Sequence, residues 1–310
     1  MSDPAPRIVP FGEPALAEAA RLVAAGQPVA VPTETVYGLA ADATSAEAVA
    51  RIYAAKGRPS FNPLIVHVPS LSAAEVLARF DDDALALAHA FWPGPLTLVL
   101  PLRQGAPVAS LVTAGLPTVA IRVPAHRAMR ALLDIAGRPL AAPSANRSGH
   151  ISPTCAEHVA SSLGAAVPLI LDDGPTQAGV ESTIVQGRTI LRPGPITAKE
   201  ISTLLDAPLD AHTGREITAP GQLLSHYAPG KSVRLDAADA EADEWHIGFG
   251  AVAGHDNLSP DGVLVQAAAR LFDALHRADA SPKRRIAVAP IPRDGVGEAI
   301  NDRLARAAHR

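Results

Sequence analysis

"EPALAEAARLVAAGQPVAVPTETVYGLAADA", Glu13 to Ala43, changes its period part-way along, and that change decides the fold class. Glu13 to Ala25, opened by Pro14 and closed by Gly26, reads as a helix. Gln27 to Val31 is apolar and strand-like, and directly behind it come the hydroxyls of Thr33, Thr35 and Tyr37 with the carboxylate of Glu34. Ser45 then caps a second helix running to Lys56, with Gly57 ending it. Helix, strand and helix within so short a span, with polar groups massed at a strand end, predict an α/β domain with a ligand pocket there.

The pattern continues outward. The runs "NPLIVHV", "PLTLVLPL", "TVAIRV", "PLAA", "VPLILD", "STIV" and "TILR" are short, apolar and bounded by Pro, Gly or Asp. Helical spacing recurs at Ala73 to Ala78, Ala84 to Phe91, Ala125 to Ala136 and Ala156 to Leu163. Some connections are too short for a crossover helix, so the sheet is expected to be mixed and twisted. After "TAKEISTLL" the period lapses. Residues 207–231, with three prolines and three glycines, read as a linker, and a smaller β/α pattern resumes from Ser232 with "SVRLD", "EWHIGFG", a helix from Val263 to Arg277, and "RRIAVAPI". The expected organisation is therefore a main domain over 1–206, a linker over 207–231 and a small Rossmann-like α/β domain over 232–310.

Across 310 residues the chain is 48% hydrophobic and 19% charged, enough to bury a sizeable core. Its net charge of -4 argues against a protein that coats nucleic acid or an anionic membrane. Cys155 is the single cysteine and is expected to be small and buried, which leaves no disulfide framework and fits a reducing compartment. With no leader-like N-terminus and no long apolar run, the expected location is the cytoplasm.

Several tempting patterns fail. "SHYAPGKS", Ser225 to Ser232, has the tail of a P-loop but lacks its first glycine and runs into a strand, not a helix. "GFGAVAG" has the wrong spacing for a dinucleotide fingerprint and reads as a turn. The eleven histidines show no metal-ligand spacing, and there is no nucleophile elbow.

What remains is a set of basic and hydroxyl groups. Lys56 is one of only four lysines beside 23 arginines, a compact point charge in a chain that otherwise uses arginine. Lys56 and Arg58 flank one glycine and can hold two oxygens of a polyphosphate, although helix ends also attract solvated cations. Asn62 follows in the turn, and His67 lies within an apolar strand, where it could equally be a core histidine. Thr118 and Arg122 share one strand face, and an arginine in so apolar a strand needs an anion. "APSANRSGHISPT", Ala142 to Thr154, has the hydroxyls and backbone N–H groups of an anion-binding loop, including Ser144 and Ser152. Ser182, Thr183 and Arg192 belong to a hairpin. With Glu34 and His67 as the main acid or base candidates, the inventory suits phosphoryl or nucleotidyl transfer by positioning and charge neutralisation.

At these residues the sequence resembles the YrdC-like threonylcarbamoyl-AMP synthases in their long two-domain form. "PTETVYGL", "KGRPSFNPL", "WPGPLTLVL", "LPTVAIRVP", "APSANRSGHISPT", "ESTIV" and "LRPG" carry the likeness in order, with "HYAP" in the linker. The resemblance implies a twisted α/β sheet with a large basic cavity. It also implies a nucleotidyltransferase that makes threonylcarbamoyl-AMP and pyrophosphate from L-threonine, bicarbonate and ATP with Mg²⁺, for tRNA modification. Carried over by motif, Thr35, His67, Arg122 and the backbone of Ala142 would hold threonine. Arg58, Asn62, Thr118, Ser144, Ser152 and Arg192 would hold ATP, with Lys56 beside Arg58 neutralising its phosphates and Tyr227 covering the nucleotide. Gly38 is expected to let the backbone turn tightly. The product would pass to a tRNA threonylcarbamoyl transferase complex, with no membrane and no stable nucleic-acid contact. Two alternatives stand beside this: an RNA-binding module of the same fold, and a carbamoyl transferase akin to hydrogenase-maturation proteins, whose zinc-finger and acylphosphatase-like segments are not found in the sequence.

Overall fold

The computed structural model describes residues 6–211, 219–221 and 226–309. Ten strands form one sheet: β1 (Arg7–Pro10), β2 (Val29–Pro32), β3 (Tyr37–Asp42), β4 (Ile65–His67), β5 (Leu96–Pro101), β6 (Thr118–Arg122), β7 (Leu140–Ala141), β8 (Leu169–Asp172), β9 (Thr183–Gln186) and β10 (Thr189–Arg192). Their spatial order is β1-β8-β2-β3-β7-β4-β6-β5-β9-β10. The pairing is mixed: β4 runs parallel to β6, and β5 parallel to β9, while β2–β3, β3–β7 and β5–β6 are antiparallel. This is the mixed α/β sheet that the sequence predicts.

Helices α1 (Glu13–Ala24), α2 (Ala46–Lys56), α3 (Leu71–Leu77), α4 (Asp82–Phe91), α5 (Ser110–Thr113), α6 (Arg127–Ala136), α7 (Ala156–Leu163) and α8 (Ala198–Leu205) accompany the sheet. Local chemistry sets their ends. The Ser45 side chain accepts from the Ala48 amide at the start of α2, and Gly57 closes it at φ 59°. Thr197 and Glu200 form a reciprocal capping box on α8. Ala74, Leu87 and Val159 pack with Leu39, Val66 and Ile121 in one buried core, and α1 and α6 pack in a second with Val29, Val31 and Leu169.

The quoted opening stretch needs one correction. It is a hairpin: β2 and β3 pair from Val29↔Ala40 to Pro32↔Tyr37, and the Thr33 hydroxyl donates across the turn to the Val36 carbonyl at 2.7 Å. Gly38 is therefore inside β3, opposite Val31, and not at a turn. A Cβ there would come within 3.3 Å of the Ala142 Cβ, so the glycine serves close strand approach. Cys155 is half-buried at the start of α7, not buried.

The C-terminal part carries a second sheet, β11 (Ser232–Arg234), β14 (Arg285–Val288), β12 (Glu244–Gly248) and β13 (Asp256–Asn257) in that spatial order, all parallel. Helices α9 (Leu264–Ala280) and α10 (Gly297–Ala308) accompany it. The expected helix from Val263 to Arg277 is α9, whereas α10 is not evident in the sequence reading. The two parts share a core: Val36, Ile151 and Val180 pack with Tyr227, Phe272 and Leu304. Gly179, at φ 67°, brings its Cα so near α9 that a Cβ would lie 2.4 Å from the Ala268 carbonyl oxygen. Linker residues 212–218 and 222–225 lie outside the described residues. No helix among the described residues is long and apolar enough to cross a membrane.

Candidate active site

A cavity open to solvent lies where the β2–β3 hairpin, β4, β6, the Ala142–Thr154 loop and the β9–β10 hairpin meet. Of the residues singled out from the sequence, Thr35, Arg58, His67, Arg122, Ala142, Ser144, Arg192 and Tyr227 line it. They come from positions up to 192 residues apart, 227 minus 35, so the convergence is a property of the fold.

Arg122 projects from the end of β6 and is almost wholly buried. Its Nε donates to the Gly94 carbonyl at 3.1 Å and its Nη1 to the Thr35 hydroxyl at 2.9 Å. The anion that a buried arginine needs is Glu34, whose carboxylate stands 2.7 Å from Nη2. The two groups form a buried ion pair. Burial alone would raise the Glu34 pKa, but the Arg122 charge and hydrogen bonding hold it below the usual value.

His67 is buried beside this pair with its Nδ1 unpartnered. Burial, then the positive charge of Arg122, depress its pKa to about 3, so it stays neutral at physiological pH. Arg58 is held by its own turn: Nη2 donates to Asn62 Oδ1 at 2.6 Å and to the Pro63 carbonyl at 2.8 Å. Burial brings Arg58 down to about 10, still charged near neutrality. Arg192, at the end of β10, donates from Nη2 to the Ser182 carbonyl at 2.9 Å and to its hydroxyl at 3.1 Å.

Three predicted residues stand behind the wall, and a fourth lies elsewhere. Asn62 reaches the site only through Arg58. Lys56 is buried with Nζ donating to the Ser144 carbonyl at 2.6 Å and to the Asn146 carbonyl, so it pins the loop that presents Ser144. Burial and then the Arg58 charge push its pKa well below the ordinary lysine value. Ser152 donates to the Glu181 carboxylate and is fully buried. Thr118 sits at the opposite end of β6, paired with Pro101, and lines a different hollow with Asp81 and Gln186. Sharing a strand face with Arg122 does not bring it to the cavity, because four residues of strand span roughly 13 Å.

Sequence reasoning passed over Glu181, His226 and the cavity face of Ser182. Glu181 opens the quoted "ESTIV" run, and a carboxylate just ahead of two hydroxyls in a set of basic groups was the available signal. No described group of three histidine, cysteine or carboxylate side chains could hold a metal ion. The described lining sets the guanidinium groups of Arg58, Arg122 and Arg192 against the carboxylate of Glu181, a balance that suits an anionic ligand.

Residues 21–194 match the family model described as "Telomere recombination", and residues 196–309 match "Threonylcarbamoyl-AMP synthase, C-terminal domain". The threonylcarbamoyl-AMP synthase of Bacillus subtilis strain 168 is 41% identical, over 96% of this chain and 93% of its own. The chain belongs to the threonylcarbamoyl-AMP synthase family. The family member from Pyrococcus abyssi is 38% identical over 94% of this chain and 93% of its own. A crystal structure of P. abyssi Sua5 complexed with L-threonine matches with a TM-score of 0.89 at 36% identity, covering 97% of each chain. The likeness to these synthases runs through both the cavity-bearing sheet and the smaller C-terminal sheet.

Proposed function

We propose that this protein makes threonylcarbamoyl-AMP from L-threonine, bicarbonate and ATP, releasing pyrophosphate, as a cytoplasmic step in tRNA threonylcarbamoyladenosine formation. The observation that carries the reading is the convergence of Arg58, Arg122 and Arg192 with His67 and the hydroxyls of Thr35 and Ser144 on one cavity. The family relation and the L-threonine complex of its P. abyssi neighbour support the choice of amino acid.

Threonine lies at the Arg122 end. Its carboxylate takes the guanidinium and the Thr35 hydroxyl, Ala142 offers backbone, and neutral His67 accepts or donates a hydrogen bond without adding charge. The threonine amine and bicarbonate combine to a carbamate and water. A carbamate oxygen then forms a bond to the α-phosphorus of ATP as the bond to the bridging oxygen breaks, and pyrophosphate leaves with its electron pair. Arg58 and Arg192 neutralise the departing charge, and Ser144 orients the nucleotide. Mg²⁺ carried in on the triphosphate would add to the neutralisation that Arg58 and Arg192 provide. Tyr227 closes the nucleotide side. Lys56, Asn62 and Ser152 act indirectly, by fixing the Ser144 loop, Arg58 and Glu181.

The test is pyrophosphate release from ATP with each co-substrate withheld in turn. Release that requires both threonine and bicarbonate supports the reading; release indifferent to threonine refutes it. Salt-sensitive RNA binding without turnover would favour the binding-module alternative.

A further inference from the structure

Among the described residues Arg303 is the largest side chain that the fold buries completely, and it belongs to α10 of the C-terminal part, more than a hundred residues beyond Arg192. Its Nε meets Glu181 Oε2 at 2.7 Å, and its Nη1 meets Asp302 at 2.7 Å. Its Cζ stands 5.1 Å from the centroid of the Tyr227 ring. Tyr227 holds a left-handed φ of 60°, which a non-glycine residue keeps only when its surroundings over-determine it. Phe272 of α9, 5.6 Å away by ring centroids, supplies the rest of that clamp.

Glu181 is the awkward group in a cavity meant for a polyphosphate. It lines the wall, it is buried, and it immediately precedes Ser182, whose carbonyl and hydroxyl receive Arg192. Among the described residues its ion-pair partner is Arg303. A buried carboxylate left without that partner would turn to the next guanidinium, and the next is Arg192.

We propose that Arg303 is a positioning residue for the nucleotide half of the cavity: by neutralising Glu181 and bracing Tyr227, it reserves Arg192 for a phosphate of the nucleotide. This gives the C-terminal part a task in the reaction, and it rests on the reading of the cavity as a site for ATP. The charged groups around Glu181 are Arg303 of α10, Arg192 of β10 and Lys56 of α2.

The experiment measures ATP binding to the full-length protein by calorimetry, beside the KM values for ATP and threonine. Arg303→Met is expected to weaken ATP binding about 10- to 100-fold, the loss of one charge-assisted contact, with the threonine KM changed less than about threefold. Glu181→Gln placed on Arg303→Met should recover most of that loss, because no uncompensated carboxylate remains to capture Arg192. In Arg303→Met alone, ATP binding should improve as pH falls from 8 to 6, since burial without the Arg303 charge raises the Glu181 pKa and the protonated acid stops competing. The wild type should show no such improvement. If Arg303→Met does not fold, Arg303→Lys and Arg303→Gln carry the same comparison, with only the neutral side chain weakening ATP binding. Equal rises in both KM values, or a double variant no better than the single one, would overturn the proposal and leave Arg303 a structural residue. Failure of the synthase reading would look different: ATP would bind, and respond to Arg303, without threonine-dependent pyrophosphate release.

Discussion

Replacing Arg122 with alanine separates what this residue does for stability from what it does for threonine. The guanidinium engages Gly94, Thr35 and Glu34 at 3.1, 2.9 and 2.7 Å. The Glu34 side chain is only 12% exposed, so truncation strands a largely desolvated carboxylate. Breaking a buried pair in this way costs about 3–5 kcal/mol. In the wild type Glu34 titrates below its ordinary 4.5, so its stabilisation is present above that pH and is lost as pH falls through the lower folded value. In Arg122→Ala burial is opposed only by backbone hydrogen bonds, the Glu34 pKa rises, and the deficit is greatest at neutral pH and shrinks as the carboxylate takes up its proton in acid. Adding Glu34→Gln should restore most of the stability. It should not restore threonine use, because the substrate carboxylate still lacks a charged partner worth about 1.5–3 kcal/mol, a roughly 10- to 150-fold rise in threonine KM. Thermal melts at several pH values and threonine-dependent pyrophosphate release read the two effects. A deficit that does not shrink as pH falls from 7 to 3, or a double variant with wild-type threonine dependence, would refute the reasoning.

Gly179→Ala forces a Cβ to within 2.4 Å of the α9 backbone from a φ of 67°, so we expect a loss on the order of 1–3 kcal/mol in urea unfolding, and a change under about 0.5 kcal/mol would contradict the close approach. Lys56→Met removes two hydrogen bonds to the Ser144 loop and should lower the melting temperature together with ATP affinity; unchanged melting with lost activity would instead assign Lys56 a direct phosphate contact. His67 should stay neutral from pH 5 upward, so its contribution to stability, complete above about pH 6.5, drains away as pH falls toward about 3, and His67→Asn should flatten that part of the pH–stability curve.

Much of the fold was legible because its cues are local. Ser45 and Gly57 punctuate α2 as expected, and the expected strand "TVAIRV" is β6 without its last valine. The β2–β3 hairpin was harder, since Thr33 builds its turn with a side-chain hydroxyl where a Gly or Asn pair is the usual signal. At the site, residue types were readable but the direction of a side chain was not. Lys56 carries the charge expected beside a phosphate, yet the fold turns it onto backbone carbonyls. Thr118 shares a face with Arg122 and sits in another hollow, since a face says nothing about distance along a strand. Arg303 gave no signal, because its partner Glu181 lies 122 residues away and only tertiary packing joins them.

The most direct measurement is a crystal structure of this protein with ATP and L-threonine. The account predicts the threonine carboxylate at Arg122 and Thr35, with the triphosphate between Arg58 and Arg192 inside the same cavity. Ligands on another surface, or an empty cavity at saturating concentrations, would contradict it.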